Sequence, residues 1–555
     1  LLALTPAHVV YTALGFLEHR PYQYLWLLLV AATLAWLAVD FQERLEEGSP
    51  REAATAHLKA GRAWAVAAAL AVGVAASAHV YGGSPLTFVP VAAYIAFRVV
   101  ADARRGVPAL PANGPALGGL LFGSGLAAVA HVRWDWHESV AATVPVLVAV
   151  GAIAVAALAT AWHRSDLPVA GLLGTQAVLA VVGTLLFRQL RPDDVARLQE
   201  RSSALFGRET AIETASLFTI DDAIIFGPLG QLGIGFYLAL VPLGVITWYV
   251  YERYEPAWLV VVCFAWYYLA LAAIQVRFAA QFGLFCAIFG AVGLVYLLGA
   301  VDLVRKPAVF DADASLSGPA IQLPSQPMKG SYLAGVIVLA LVFNLVFVPT
   351  LLNQTQYSGD QFEATMAIDS HAEEVDREYP QTFVLSEWGE NRMYNYFVNG
   401  ESSGYGYARS NHEPFITGTA PDEQANSFGN RVGYVVLKDR DFPEETVHAQ
   451  LFNPDARDEG LARYQLLYAT DDVRAFVVVP GAVLRTNVGA NETVQATTEV
   501  SVSGEQFTYR RSATANENGV TRVRVAYAGE YDVGNETVSV ATQQVLNGAM
   551  VPVEQ

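Results

Sequence analysis

Residues 140–161 read VAATVPVLVAVGAIAVAALATA, 22 residues without a single charge. A helix needs about 20 predominantly apolar residues to cross the hydrocarbon of a bilayer. The same kind of run recurs along the chain at 24–39, 64–80, 85–101, 117–132, 167–187, 230–250, 257–276, 279–299 and 332–350. One such helix could be the buried centre of a large soluble core. Ten in succession predict a multi-pass α-helical membrane domain over residues 1–350. Alanine and glycine are abundant in these runs, as expected where membrane helices pack closely.

Beyond residue 350 the character changes. The 555 residues carry 52 acidic and 34 basic side chains, a net charge of −18. Residues 351–555 hold 30 of the acidic and 14 of the basic groups, so −16 of the total lies there. Hydrophobic residues make up 53% of the whole and charged residues only 15%, where soluble proteins have about 25% charged. One large soluble enzyme is therefore excluded. The negative charge also excludes a generally basic nucleic-acid binder. Four lysines (Lys59, Lys306, Lys329 and Lys438) and an acidic surface suit a halophilic protein. Two cysteines, Cys263 and Cys286, supply no disulfide framework.

Charge also sets the expected orientation. Arg44, Arg51, Lys59, Arg62, Arg104, Arg105, Arg164, Arg253, Arg305, Lys306 and Lys329 fall in alternate loops. The short loops between them hold only Arg20, Arg133 and Arg277. The positive-inside rule puts the first set in the cytoplasm. The acidic C-terminal part is then extracellular, and the protein multi-pass in the cell (plasma) membrane. The long loop 188–229 lies outside too, although it carries Arg188, Arg191, Arg197, Arg201 and Arg208.

The extracellular part divides by pattern. Over 351–480, HAEEVDREYP predicts a helix stopped by Pro380, and QTFVLSEW and RVGYVVLKDRD predict strands of a mixed α/β domain. Over 481–555, ETVQATTEVSV, GEQFTYRRSATA, GVTRVRVAYAG and NETVSVATQQV alternate polar and apolar residues between Gly and Asn turns. They predict a small β-sandwich-like module.

Four clusters on the expected outer face bear on chemistry. Glu18-His19-Arg20 stands just before the first span, where a carboxylate and an imidazole could bind a divalent metal. Its alternative is a solvated interfacial turn. RETAIETASLFTIDD closes the 188–229 loop; Thr210 followed by Glu213 reads in isolation as a helix capping box. Arg277 lies between two apolar runs, a costly place unless it meets an anion or snorkels to water. Residues 386–415 form an aromatic, polar, glycine-containing loop of the kind that recognises ligands.

The order of these clusters resembles the archaeal dolichol-linked oligosaccharyltransferase catalytic-subunit family, especially its haloarchaeal branch, over nearly the whole chain. TPAHVVYTALGFLEH resembles the family's Gly-Phe-x-Asp-x-His loop, with Glu18 at the Asp and Arg20 at the second ligand. TAIETASLF resembles its Thr-Ile-x-Glu loop followed by Ser-Leu-Phe; Thr210 and Glu213 match and Ile212 is displaced. IQVRFAAQF resembles its Arg-Phe-x-x-Tyr stretch through Arg277 and Phe278. VLSEWGENR stands at its Trp-Trp-Asp-Tyr-Gly motif, where only Trp388 matches, with Glu387 for a Trp and Gly389 for the Asp. VVVPGAVL and the β-rich stretch after it resemble the haloarchaeal tail.

The resemblance implies a C-type glycosyltransferase-like membrane domain and protein N-glycosylation. A glycan would pass from a lipid phosphate or pyrophosphate carrier to Asn in an Asn-x-Ser/Thr acceptor, with Mn or Mg as cofactor. It implies Glu18 and Glu213 as catalytic groups and Glu18, His19 and Glu213 as metal ligands. Arg277 would contact the pyrophosphate, and Trp388 and Glu387 the acceptor over which the soluble part closes. Membrane lipids are further partners; nucleic acid is not. The departures predict an N-terminally shortened, motif-divergent chain, with the family's first catalytic Asp absent and acceptor selection altered. They keep open a catalytically impaired paralogue that binds a lipid-linked glycan or acceptor, or a C-type enzyme using a different lipid-phosphate sugar. A transporter is disfavoured because no internal repeat is visible.

Overall fold

The computed structural model describes residues 1–13, 19–162, 165, 167–206, 214–219, 224–300, 304–307, 310, 327–353, 356–453 and 459–554. The chain forms two compact units, residues 1–355 and 356–555.

The first unit is helical. Ten of its helical stretches are long and apolar enough to cross a membrane: Arg20–Glu47, Gly61–His79, Pro85–Arg104, Gly114–Trp134, Ser139–Trp162, Val169–Leu190, Gly235–Glu252, Pro256–Ile274, Val276–Ala300 and Pro327–Asn353. All ten expected runs are thus helical, with ends shifted by a few residues. Helices 61–79 and 114–134 pack extensively against each other, as do 235–252 and 279–300. Close approach explains the small residues. A Cβ added to Gly119 or Gly123 would lie 2.6 Å from the carbonyl oxygen of Ala67 or Ala71 respectively. At the periphery, helix 169–190 shows Val178, Val181, Val182, Leu185 and Leu186 outward. An apolar face of this size is stable in lipid and a liability in water.

The 188–229 segment is not one loop. Helix 169–190 runs into it, and Pro192–Phe206 forms a further helix with Asp193 and Asp194 in its first turn, where the helix dipole favours anions.

The second unit builds on a mixed sheet of β1 (Phe383–Leu385), β2 (Val432–Lys438), β3 (Tyr464–Ala469) and β4 (Val473–Val478) in the order β1-β2-β4-β3. β1 and β2 are parallel; the other pairs are antiparallel. The β-rich tail follows as β5 (Ala482–Asn487), β6 (Thr493–Val502), β7 (Glu505–Thr514), β8 (Val520–Val525), β9 (Gly529–Val533), β10 (Glu536–Val540) and β11 (Met550–Pro552). These make two sheets, β10-β9-β6-β7 and β11-β5-β8. One hydrophobic core runs through all three sheets. The Tyr527 hydroxyl joins them by accepting the Leu466 N–H at 2.7 Å.

Three expectations are corrected. The helix containing HAEE spans Gly359–Glu374 and ends before Pro380. Asp376 adopts φ 51° and turns the chain, and the Arg377 N–H closes back on the Ala372 carbonyl at 3.0 Å. The stretch NETVSVATQQV is extended only through β10, and Thr542–Asn547 is helical. Residues 386–415 are mostly helix, Asn391–Asn399 and Tyr405–Ile416, rather than loop. Asn391, Asn395 and Asn399 share one helical face and serve the open side of the edge strand β1. Asn395 Oδ1 accepts the Val384 N–H at 3.0 Å, and Asn391 Nδ2 donates to the Val384 carbonyl at 2.8 Å. Asn399 Nδ2 donates to the Thr382 carbonyl at 3.1 Å. The side chains stand in for a missing strand, which an exposed edge would otherwise recruit.

Candidate functional site

Three of the clusters that are far apart in sequence meet at one end of the helical unit. His19 precedes helix 20–47, and its ring stacks on Tyr81 with centroids 4.7 Å apart. Arg20, at the first position of that helix, is 7% exposed and lies 3.8 Å over the Tyr11 ring. Tyr81 sits in the short connection between helices 61–79 and 85–104. Arg201, from helix 192–206, reaches the same connection: a Cβ on Gly82 would come within 2.8 Å of its guanidinium. Its Nη2 also donates to Glu138 Oε2 at 2.8 Å, which fixes its direction.

Arg277 arrives from the other side. It occupies a 3-10 turn, Val276–Phe278, where the helix 256–274 breaks and the next one starts. Four residues on, Gln281 Nε2 donates to Gln23 Oε1 at 3.2 Å, joining the Arg277 turn to the helix that Arg20 begins. Burial raises the pKa of the Tyr81 phenol, while a hydrogen bond with Gln23 and the charges of Arg277, Arg201 and Arg20 act to lower it. Three guanidinium groups therefore act on one hydroxyl.

The described end of TAIETASLF is tied to the same turn. The Val276 N–H donates to the Ala215 carbonyl at 2.7 Å, and the Leu217 N–H to the Ala272 carbonyl at 3.0 Å. Glu18, Thr210, Ile212 and Glu213 lie outside the described residues. Sequence reasoning missed Tyr81, Gly82 and Gln23 as site residues, and it counted Arg201 only as loop charge. The one available signal was Tyr-Gly-Gly in a short connection between two spans.

A divalent metal finds little here among the described residues. They contain no group of three or more His, Cys, Asp or Glu side chains able to hold an ion. His19 is the one described member of the expected set, and it stands beside a buried arginine. The two carboxylates expected beside it, Glu18 and Glu213, lie outside the described residues.

The second unit carries Glu387 and Trp388 just after β1. Glu387 is held by two cations. Arg440 Nη2 donates to both its carboxylate oxygens at 2.7 Å, and Lys438 Nζ lies 3.3 Å away. Burial raises the Glu387 pKa, but Arg440 and Lys438 reverse this and hold the carboxyl below the ordinary carboxylate range. Lys438 Nζ also donates to Glu390 Oε1 at 2.5 Å. Trp388 is 38% exposed, with the Arg409 guanidinium 5.3 Å from its ring. Behind this group, burial pushes the His412 imidazole down to about 4, with Arg440, His448 and Lys438 adding to the effect and Glu387 opposing it. Burial and Arg377 push His371 down to about 4 as well.

These two histidines give a pH prediction. Unfolded, each takes up a proton as pH falls below about 6.5; folded, each resists until about 4. The stabilisation is complete above 6.5 and is lost as pH falls toward 4. By pH 5 the loss is on the order of 2 kcal/mol per histidine. Pulse proteolysis of the full chain should show the second unit opening progressively between pH 6.5 and 5. His412→Asn should flatten that profile; an unchanged profile would contradict the assignment.

Comparison with known proteins places this geometry. Residues 481–551 match the family model AglB_L1, the archaeal glycosylation protein B long peripheral domain. No curated protein matches the chain. Solved structures of the oligosaccharyltransferase from Archaeoglobus fulgidus share its fold. The complex of AglB with an inhibitory peptide and a dolichol-phosphate superposes with a TM-score of 0.73 at 14% identity, covering 99% of this chain and 83% of that one. A form tethered through a disulfide bond to an acceptor peptide containing the NVT sequon gives 0.69 at 15%, covering 100% and 84%. A complex with Zn and sulfate gives 0.65 at 13%, covering 100% and 84%. The architecture of a many-helix apolar region followed by a mixed α/β and β-rich region is that of archaeal oligosaccharyltransferases.

Proposed function

We propose that this chain, which has the fold of the archaeal oligosaccharyltransferases, transfers a glycan from a lipid (dolichol) phosphate or pyrophosphate to the Asn of an Asn-x-Ser/Thr acceptor on the outer face of the cell membrane. The observation that carries the reading is the convergence of His19, Arg20 and Arg277 with the 214–219 segment that follows Glu213. Residues 1–350 form the membrane domain, 351–480 an extracellular α/β domain and 481–555 an extracellular β-rich module.

Arg277 neutralises the leaving pyrophosphate. A guanidinium presents a planar fork suited to phosphate oxygens. The anomeric carbon breaks its bond to the pyrophosphate oxygen and bonds to the acceptor amide nitrogen, which gives up a proton. Glu18 and Glu213 take the catalytic roles of orienting that amide and receiving its proton. Trp388 and Glu387 bind the acceptor. A Mn or Mg ion, held by Glu18, His19 and Glu213, would supply further charge stabilisation when bound.

A second reading is a paralogue that binds without transferring. It is favoured by Glu387, whose carboxylate is occupied by Arg440 and Lys438. The test uses membranes carrying the full chain, a lipid-linked glycan, a fluorescent Asn-x-Thr peptide and added Mn or Mg. Glycosylation is expected, and Glu213→Gln should abolish it. Transfer that Glu213→Gln leaves untouched would overturn the site assignment.

A further inference from the structure

We propose that Asn491 and Asn535 are attachment sites for an N-linked glycan, so that this chain is itself an acceptor of the class of transfer proposed for it. The inference rests on that reading for the side of the membrane and for the lipid-pyrophosphate donor.

An acceptor asparagine needs a reachable amide nitrogen and a hydroxyl two residues further on. The chain carries Asn-Glu-Thr twice in its β-rich part, at 491–493 and 535–537. All six residues are exposed. Both asparagines occupy turns, of different kinds. The Glu492 N–H donates to the Gly489 carbonyl at 3.1 Å, and Asn491 inside this turn has φ 63°, a conformation that asparagine tolerates. Asn535 stands beside Gly534 at the two-residue tip of the β9–β10 hairpin, where Gly534 supplies the positive φ of 64°. Other asparagines of this unit do structural work: Asn391, Asn395 and Asn399 serve β1, and Asn516 Oδ1 accepts the N–H groups of Asn518 and Val520 at 3.0 and 2.9 Å. The side-chain amides of Asn491 and Asn535 have no hydrogen bond among the described residues. A sugar on either one displaces no packing.

The two triplets also share a surface. Glu492, Thr493, Asn535 and Glu536 line one open cleft of about 680 Å³ together with Thr497 and Asp532. Its hydroxyl and carboxylate groups suit the hydroxyls of a first sugar. β10, which starts directly after Asn535, is an edge strand of its sheet. An open edge invites pairing with another chain, and a glycan at its first turn blocks that approach. In the transfer step the anomeric carbon leaves the pyrophosphate oxygen and bonds to Asn Nδ2, which loses one proton. The further triplet Asn353-Gln354-Thr355 runs beyond the described residues.

Mass spectrometry of the full chain, purified from the cells that make it, tests this. Trypsin places the sites on separate peptides, residues 486–510 and the peptide that begins at Val525. Both should carry the same glycan mass, located by fragmentation on Asn491 and Asn535. Thr493→Val and Thr537→Val should each remove the mass from their own peptide and leave the other unchanged. Thr493→Ser and Thr537→Ser, which keep the hydroxyl, should retain it. Protease added to intact cells reports the side on which the second unit lies. Bare peptides from a chain whose second unit is cut from outside overturn the inference and leave the outer-face transferase reading standing. Bare peptides from a chain protected against that protease overturn both. Modified peptides from a chain that glycosylates no added Asn-x-Thr peptide support the sites and overturn the transferase reading.

Discussion

Replacing Asp102 by leucine is expected to cost about 3–5 kcal/mol, because it strands a buried cation. Asp102 is 0% exposed and Arg98, one helical turn earlier, is 1% exposed. The carboxylate accepts Arg98 Nε at 2.8 Å and the Tyr254 hydroxyl at 2.7 Å on one oxygen, and Asn113 Nδ2 at 2.7 Å on the other. The Arg98 guanidinium lies 5.2 Å from the Phe41 ring and 5.1 Å from that of Tyr254. Removing the carboxylate takes an acceptor from donors on three chain segments, and only Asn113 Nδ2 keeps another, the Ala109 carbonyl at 2.8 Å. Thermal inactivation of the detergent-solubilised chain should shift sharply downward for Asp102→Leu. The double variant Arg98→Met with Asp102→Leu should recover most of the loss, since it removes both charges at similar volume. If the single variant is as stable as the parent, the network is not what locks these helices together.

The second large effect is on transfer. Arg277→Gln is expected to lower the rate by about 10²–10³-fold, the usual consequence of losing a group aimed at charge that develops in the transition state. Arg277→Lys should recover part of it, because a point charge keeps the neutralisation but not the fork. The loss should appear mainly in kcat, as leaving-group charge grows during the step and not before it. A Gln variant that transfers at the parental rate would remove Arg277 from the pyrophosphate site.

Much of the fold is legible in the sequence because hydrocarbon imposes a simple demand. Each spanning helix must satisfy its own backbone and be apolar for about 20 residues, so runs such as 140–161 and 257–276 announce themselves. The alternation in the tail is legible for a similar reason, as β6 shows with its inward and outward residues. What escaped was decided by partners distant in sequence. The asparagines of 391–399 look like loop formers until β1 supplies the backbone groups they bind. NETVSVATQQV hides a helix start because its apolar spacing suits either structure until Gln544 Oε1 accepts the Ala541 N–H. In the site, Arg277 stood out as a charge between apolar runs. Tyr81 and Gly82 did not, since nothing local distinguishes a connection that supports three arginines from one that only turns the chain.

The central claim is that this chain makes a glycan–asparagine bond. Mass spectrometry of an Asn-x-Thr peptide, incubated with membranes containing the full chain and a lipid-pyrophosphate oligosaccharide, tests it most directly. The account predicts a mass gain equal to the glycan on the Asn, absent when that residue is Gln. An unmodified peptide from membranes whose chain demonstrably binds the lipid-linked donor would contradict it.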